Sequence, residues 1–384
     1  MSIADTILAL KNSSQVQDLI NKSDISDILN NAVNGQRLTL NECIRLIRSE
    51  DIYAIGLVGN ILRQTLYGNN VTFVNNIILN YTNVCVTYCK FCAFYRKPGD
   101  KEAYTVPLEE IVRRVTTSRE MFGITQILIQ GGHNPNLSIE YYEDVFNAIK
   151  TKIPEVGIHG LSASEIDMIA KVERSSTKEV LARLKAAGLD SLPGAGAEIL
   201  DDDVKAEISP LKIKSDEWLR IMEESHNLGL NSSATMMYGT VENEEQQARH
   251  IMKIAHLQQK TKGFMAFIPW SFEPNKTEIQ KEGTIKYPSG GLHLLKMIAI
   301  SRIMYYGIID HLQSSWLTNG IGMAQLALNY GADDFGGTLI GEEVVSATGA
   351  TSTQLTAQKI IHAVKQVGFD VSERDNFYRI IKKC

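Results

Sequence analysis

Three cysteines stand close together in the stretch NYTNVCVTYCKFCAFYR, residues 80–96: Cys85, Cys89 and Cys92, spaced C-x3-C-x2-C. The other two, Cys43 and Cys384, lie far away in sequence. Clustered thiolates select iron–sulfur clusters, zinc or copper. A structural zinc site needs four ligands and draws them as two spaced pairs, and no second Cys/His pair follows at a suitable distance. A [4Fe–4S] cluster is normally held by four thiolates. Three would leave one iron without a protein ligand, and an open coordination position is what metal catalysis uses. Cys43 falls within the apolar stripe Leu38, Leu40, Ile44, Ile47 and reads as a small core residue.

Other residues with chemical potential recur at the ends of apolar runs. Gln130–Gly131–Gly132–His133 follows one such run, and paired glycines allow a close backbone approach. His159 and Ser162 follow another; Ser162 with Glu165 also makes a capping box. The glycine-rich PGAGAEIL (193–200) carries Glu198, a carboxylate able to accept hydrogen bonds from a ligand. It is not a phosphate loop, since no Gly-Lys-Ser/Thr follows. Arg96 is either a cation for a carboxylate ligand or an exposed partner of Glu102.

These residues need a scaffold that gathers loop ends. Residues 1–70 read as helices, including 38–48 and 55–68. From Val71, eight short β-rich runs (72–79, 124–130, 156–161, 188–193, 231–238, 264–270, 308–315 and 333–338) alternate with helical stretches near 107–121, 139–152, 163–187, 215–228, 243–261, 290–306 and 319–330. That alternation predicts βαβ units around a parallel sheet, and eight repeats fit an α/β fold of the (β/α)8 barrel type. A partial six-strand barrel is the alternative, because the last two runs are weakly patterned. The predicted domains are an N-terminal helical extension (1–70), a barrel (71–345) and a C-terminal helical segment with a closing stretch (346–384). Functional residues are then expected in the loops after the strands, and the cysteine loop follows the first of them.

Composition narrows the class. Hydrophobic residues make up 44% and charged residues 22%, and the net charge is −5. No basic tail or cluster points to nucleic acid. No run of 18 apolar residues points to a membrane span. The stretch MSIADTILALKNSS does not read as a signal peptide, and clustered free thiols suit a reducing compartment, so a cytoplasmic location is expected.

The cysteine spacing, with Phe91 before the last cysteine, resembles the cluster loop of radical S-adenosylmethionine (SAM) enzymes. Further segments (LIQGGHNP, SLPGAGAEIL, ISP at 208–210, ATMMYGTVE, GFMAFIPWSFEP, LQSSW and ADDFGGT) are similar to the branch of that superfamily that serves the futalosine route to menaquinone and deazaflavin assembly. The likeness runs from about Leu38 to Phe369. The resemblance implies a TIM-like barrel, a [4Fe–4S] cluster on Cys85, Cys89 and Cys92, and SAM on its open iron. It also implies Phe91 and Tyr95 as aromatic neighbours of the cofactor, and Gly131 and Gly132 at the SAM amino group. There the match is partial, since His133 replaces the usual acidic residue. Glu198 is expected as a further SAM contact, and AGAEIL, SATMMYG and FIPWSFEPN look most like the cyclases of dehypoxanthine futalosine. That implies this substrate, an electron donor such as flavodoxin or ferredoxin, and a base drawn from His133, His159 and Glu198. Aminofutalosine synthases and the tyrosine-acting part of F0 synthase are the sister alternatives; an iron–sulfur electron carrier is the alternative of another class.

Overall fold

Alternation along the strands decides which way each residue points. The structure, a computed structural model, describes residues 13–286 and 290–384. A first parallel pair shows the pattern: in β2 (Asn76–Asn80), following β1 (Asn70–Val74), Ile77 and Leu79 are buried against the outer layer. Asn76, Ile78 and Asn80 face the interior. Strand β3 (Gln126–Gln130) repeats it, with Ile127 and Ile129 outward and Gln126, Leu128 and Gln130 inward. Five further strands continue the sheet: β4 (Gly157–Gly160), β5 (Ser191–Leu192), β6 (Asn231–Tyr238), β7 (Phe264–Ser271) and β8 (His311–Leu312). All seven pair in chain order and in parallel. The ring is closed by β9 (Asp334–Gly337) and the residues after it. Gln313 bridges to Asp334 on one side and Ile340 to Ile77 on the other, both in parallel.

The expected α/β barrel is therefore present, with seven strands in one ladder and the eighth joined by isolated bridges. Of the two weakly patterned runs, 308–315 has only two residues in the ladder and 333–338 joins it by isolated bridges; 188–193 is as short, with two residues paired. The first expected strand, 72–79, is broken at Asn75. Its first half, β1, joins a second sheet ordered β11-β10-β1-β9, with β10 at Asp370–Arg374 and β11 at Ile380–Lys383. Beyond its predicted helix, Ala357–Gln366, the C-terminal segment thus carries a hairpin that closes the lower end of the barrel. A side chain on Gly157, the first residue of β4, would meet Asn376 at 2.5 Å.

The helices start where the sequence caps them. Ser162–Glu165, Ser176–Glu179 and Asn243–Gln246 form capping boxes at Ala163–Glu173, Thr177–Ala186 and Glu244–Thr261. The stretch 163–187, read as one helix, is two, because Arg174 turns left-handed. The N-terminal helices Leu40–Arg48 and Ile52–Tyr67 pack on the barrel wall. Gly59 lies so close to Ala299 and the Tyr330 carbonyl that a Cβ would meet the latter at 2.5 Å. Cys43 is fully buried there, as its apolar neighbours predict. Among the described residues no helix is long and apolar enough to cross a membrane.

Candidate active site

The barrel interior is not packed solid. Where most eight-stranded barrels fill the centre with branched apolar side chains, inward positions here combine Ile78, Leu128, Met265 and Ile268 with the polar Asn76, Asn80, Gln126, Gln130, His159, Ser233 and Thr235. They surround a cavity of about 390 Å³. Its upper end is formed by the loops that follow the strands, its lower end by the C-terminal hairpin.

The cysteine loop leaves β2 and folds over the upper end. Cys85 N–H donates to the Arg96 carbonyl at 2.9 Å and Arg96 N–H to the Asn83 carbonyl at 2.8 Å, which closes the loop at its base. The Arg96 guanidinium sits inside the turn, with Nη1 3.0–3.3 Å from the carbonyls of Ala93, Phe94 and Tyr95, while Nε pairs with Glu102 at 2.7 Å. Of its two expected roles, Arg96 has the pairing one, and it braces the loop. Cys85, Cys89 and Cys92 all line the cavity and form no disulfide. Burial pushes the Cys89 thiol up to about 12 and raises Cys92 as well. Loading with iron must therefore release protons. Among the described residues no three His, Cys, Asp or Glu side chains are placed to hold one metal ion.

Gly131 and Gly132 are required by that loop. A Cβ on Gly132 would meet the Val84 carbonyl oxygen at 2.2 Å, and one on Gly131 would meet the Tyr81 ring at 2.8 Å. The close approach expected of these glycines is to the cysteine loop itself, and both also line the cavity. Glu165, buried, holds this corner together. It accepts from Gly131 N–H at 2.9 Å, Tyr81 O–H at 2.8 Å and Ser162 N–H and O–H at 2.7 Å each. Ser162 is thus occupied by its cap.

Glu198 is held with φ +43, a left-handed conformation costly for a residue with a side chain. Its Oε1 accepts from Lys212 Nζ at 2.8 Å, and its Oε2 is buried without a partner. Lys212 was not legible as a site residue. Burial alone would lower its pKa, but the Glu198 carboxylate and the Cys89 thiol outweigh it and raise the value, so it is a cation. It also lies 5.4 Å from the centre of the Phe91 ring. This donor set fits the expected groups: three thiols for a cluster, a cation beside them, and a carboxylate whose second oxygen is buried without a partner. Tyr95 lines the same end, its ring tilted against Tyr88.

The two histidines differ. His133, in the turn after β3, lines the cavity; burial lowers its pKa to about 3, so it is neutral. His159 lies within β4, deeper than the loop position expected, with Nδ1 2.7 Å from Ser191 Oγ. Burial and the nearby Arg374 lower it to about 3 as well. Three cavity residues at the lower end, Arg374, Asn376 and Tyr378, come from the C-terminal hairpin and had no sequence signal.

Comparison with known proteins agrees with this geometry. Residues 79–254 match the radical SAM superfamily, and residues 261–383 match the CofH/MqnC C-terminal region. A cyclic dehypoxanthine futalosine synthase of Streptomyces coelicolor is 39% identical over 363 residues, covering 93% of this chain and 89% of that protein. The chain belongs to the radical SAM superfamily. Radical SAM relatives of other specificity are also near. A 5-amino-6-(D-ribitylamino)uracil–L-tyrosine 4-hydroxyphenyl transferase of Methanocaldococcus jannaschii is 37% identical, over 92% of this chain and 99% of that one. Among solved structures, a maturase of the [FeFe]-hydrogenase superposes with a TM-score of 0.72 at 18% identity, over 95% of this chain and 80% of that one, a likeness of fold. Radical SAM enzymes use a [4Fe–4S] cluster and SAM, and the upper end of the cavity is where this chain offers thiols, cation and carboxylate for them.

Proposed function

We propose that this chain cyclises dehypoxanthine futalosine in menaquinone biosynthesis, with Cys85, Cys89 and Cys92 holding the cluster. The observation that carries the reading is the single chamber. Three thiols, a lysine–glutamate pair, and barrel strands that carry amides, hydroxyls and a histidine line the same space. The cluster and SAM, when bound, supply a 5′-deoxyadenosyl radical that removes hydrogen from ribose C4′. The substrate's carbon radical closes onto the benzoate ring, and loss of one proton and one electron restores aromaticity.

The protein's share is orientation and exclusion of other hydrogen donors. Phe91, Tyr95, Gly131 and Gly132 frame the cofactor. The free oxygen of Glu198 accepts from its ammonium or ribose, and Lys212 balances charge beside the thiolates. Of the three base candidates, Glu198 is engaged by Lys212 and the Nδ1 of His159 by Ser191. His133 lines the cavity and makes no side-chain hydrogen bond among the described residues, so a ring nitrogen is free and it is assigned the proton. An electron donor of the flavodoxin or ferredoxin type completes the reaction, in the cytoplasm.

The test is anaerobic reconstitution, then incubation with dithionite, SAM and dehypoxanthine futalosine. Expected are 5′-deoxyadenosine and a product about two mass units lighter than the substrate, from the balance of the cyclisation. No such product, with turnover of an enolpyruvyl benzoate or of tyrosine instead, assigns the chain to a sister reaction.

A further inference from the structure

The cysteine loop carries a hydroxyl within reach of two of its sulfurs. Thr87 Oγ1 lies 3.0 Å from Cys85 Sγ and 3.7 Å from Cys89 Sγ, and it has no other hydrogen-bond partner among the described residues. Thr87, like both cysteines, is buried and lines the cavity. The backbone fixes it from both sides. Val86 N–H donates to the His133 carbonyl at 3.1 Å, and Lys90 N–H to the Ile208 carbonyl at 2.9 Å. Between these anchors Tyr88 has φ +45, a left-handed reversal in the segment that joins Thr87 to Cys89.

Which atom donates depends on the state of the sulfurs. While Cys85 is a thiol, either group can give the proton. A sulfur that holds iron is a thiolate, which only accepts. The hydroxyl is then the donor of the contact, and its proton goes to Cys85, the nearer sulfur. The other two sulfurs are compensated by different means. Burial raises the pKa of Cys92, and the backbone N–H groups of Tyr95 and Phe94 oppose it by donating to that sulfur. Arg96 braces their turn through the carbonyls of Ala93, Phe94 and Tyr95. Burial raises Cys89 too, and the Lys212 ammonium opposes it. Cys85 has the Thr87 hydroxyl, its one side-chain hydrogen-bond partner among the described residues.

We propose that Thr87 is a positioning residue that acts through Cys85: its hydroxyl donates to that thiolate and raises the reduction potential of the cluster. This rests on the reading of Cys85, Cys89 and Cys92 as cluster ligands. Hydrogen bonds to the ligand sulfurs are among the features that set the potential of an iron–sulfur cluster. One added electron makes the cluster more negative and its sulfurs better acceptors, so the bond is stronger in the reduced form, and a charged acceptor strengthens it further. The electron comes from the external donor; no covalent bond forms or breaks, and Thr87 keeps its proton.

The experiment uses the full chain reconstituted anaerobically with iron and sulfide, without SAM, as wild type, Thr87→Val, Thr87→Ala and Thr87→Ser. Valine keeps the shape and removes the hydroxyl, alanine removes it without placing a methyl near the sulfurs, and serine retains it. Reductive titration followed by electron paramagnetic resonance reads the midpoint potential. Thr87→Val and Thr87→Ala are expected to hold iron and sulfide as the wild type does. At a fixed potential their ratio of reduced to oxidised cluster should fall on the order of tenfold, about 59 mV for a one-electron couple. Thr87→Ser should restore most of that ratio. Electron–nuclear double resonance of the reduced protein in H2O and D2O reads the bond itself: an exchangeable proton coupling of the wild type is lost in Thr87→Val and kept in Thr87→Ser. An unchanged potential in Thr87→Val or Thr87→Ala at full iron content, or an equal loss in Thr87→Ser, overturns the proposal. So does loss of iron binding in both variants, which would make Thr87 a residue of cluster assembly instead. A wild type that takes up no iron and sulfide ends the cluster reading itself, and this proposal with it.

Discussion

Removing Lys212 tests the charge arrangement at the upper end of the chamber. Lys212 and Glu198 are 2.8 Å apart, with side chains 13% and 6% exposed. Neither has water to fall back on, and Glu198 already has one oxygen without a partner. Replacing both ions by apolar groups is often neutral, but removing one strands the other and costs about 3–5 kcal/mol. Lys212→Met is therefore expected to lower the stability of the cluster-free chain by about 3–5 kcal/mol, and Glu198→Gln by a comparable amount. With an unfolding entropy of about 2.1 cal/mol/K per residue, a chain this long shifts by about 1.2 °C per kcal/mol, so the melting temperature falls by about 4–6 °C. The double variant should lose about 2 kcal/mol less than the sum of the two single losses. Thermal unfolding followed by circular dichroism, under reducing conditions at pH 7, gives all four values. Additivity within about 0.5 kcal/mol would mean that the two groups do not meet in the folded protein, and the charge pairing argued here would be wrong.

Other expectations follow from single contacts. Cys89→Ala should abolish iron and sulfide incorporation yet keep the far-ultraviolet circular dichroism of the wild type, because the barrel is built without the metal. Gly132→Ala forces a Cβ to 2.2 Å from the Val84 carbonyl; the cysteine loop must shift, and iron content after anaerobic reconstitution should drop well below half, while Gly160→Ala, with its nearest neighbour at 3.4 Å, should not lower it. Asp333 is buried; burial raises its pKa, but Arg302, His311 and the Leu312 N–H outweigh that and hold it below the usual carboxylate range. A group depressed on folding stabilises above its unfolded pKa of about 3.9 and loses that contribution as pH falls through the folded value. Wild-type stability should thus decline below about pH 4 more steeply than that of Asp333→Asn, which starts lower because Arg302 is left unpaired; acid titration by circular dichroism compares the two.

What the sequence made legible was local. The C-x3-C-x2-C spacing needs no folding to be read, and helix starts such as Ser162–Glu165 and Asn243–Gln246 announce themselves within four residues. The strands β5 and β8 were placed only roughly, because two paired residues leave no alternation to read. Lys212 carries no local signal: it sits in a loop between Leu211 and Ile213, and its importance comes from reaching Glu198, which the fold brings to it. Asn376 is harder still. Its partners Gln126 and Ser191 lie about 250 and 185 residues away, and they meet because β10 pairs in parallel with β1, a contact between the two ends of the chain. His159 is expected at the βα-loop end of its apolar run; it lies inside β4 instead, with Nδ1 on Ser191 Oγ.

That placement follows from how the barrel divides its labour. The outward face of each strand is apolar and buried, Ile77, Leu79, Ile127, Ile129 and Ile158 among them, so the hydrophobic contribution to stability comes from the layer between sheet and helices. The inward face is relieved of that task and can keep Asn, Gln, Ser and His around an open chamber. Buried polar groups are tolerated there only if they are paired, and amides do much of the pairing: Asn76 accepts from the Leu339 N–H and donates to Gln126, which donates in turn to Asn376. The direction of that chain is set by the one donor in it that cannot rotate, the backbone N–H of Leu339. Of the cavity-lining residues described, Asn80 and Glu198 each keep one buried side-chain oxygen without a partner. The chamber is thus closed by paired amides at its lower end and keeps its spare acceptors toward the cysteine loop.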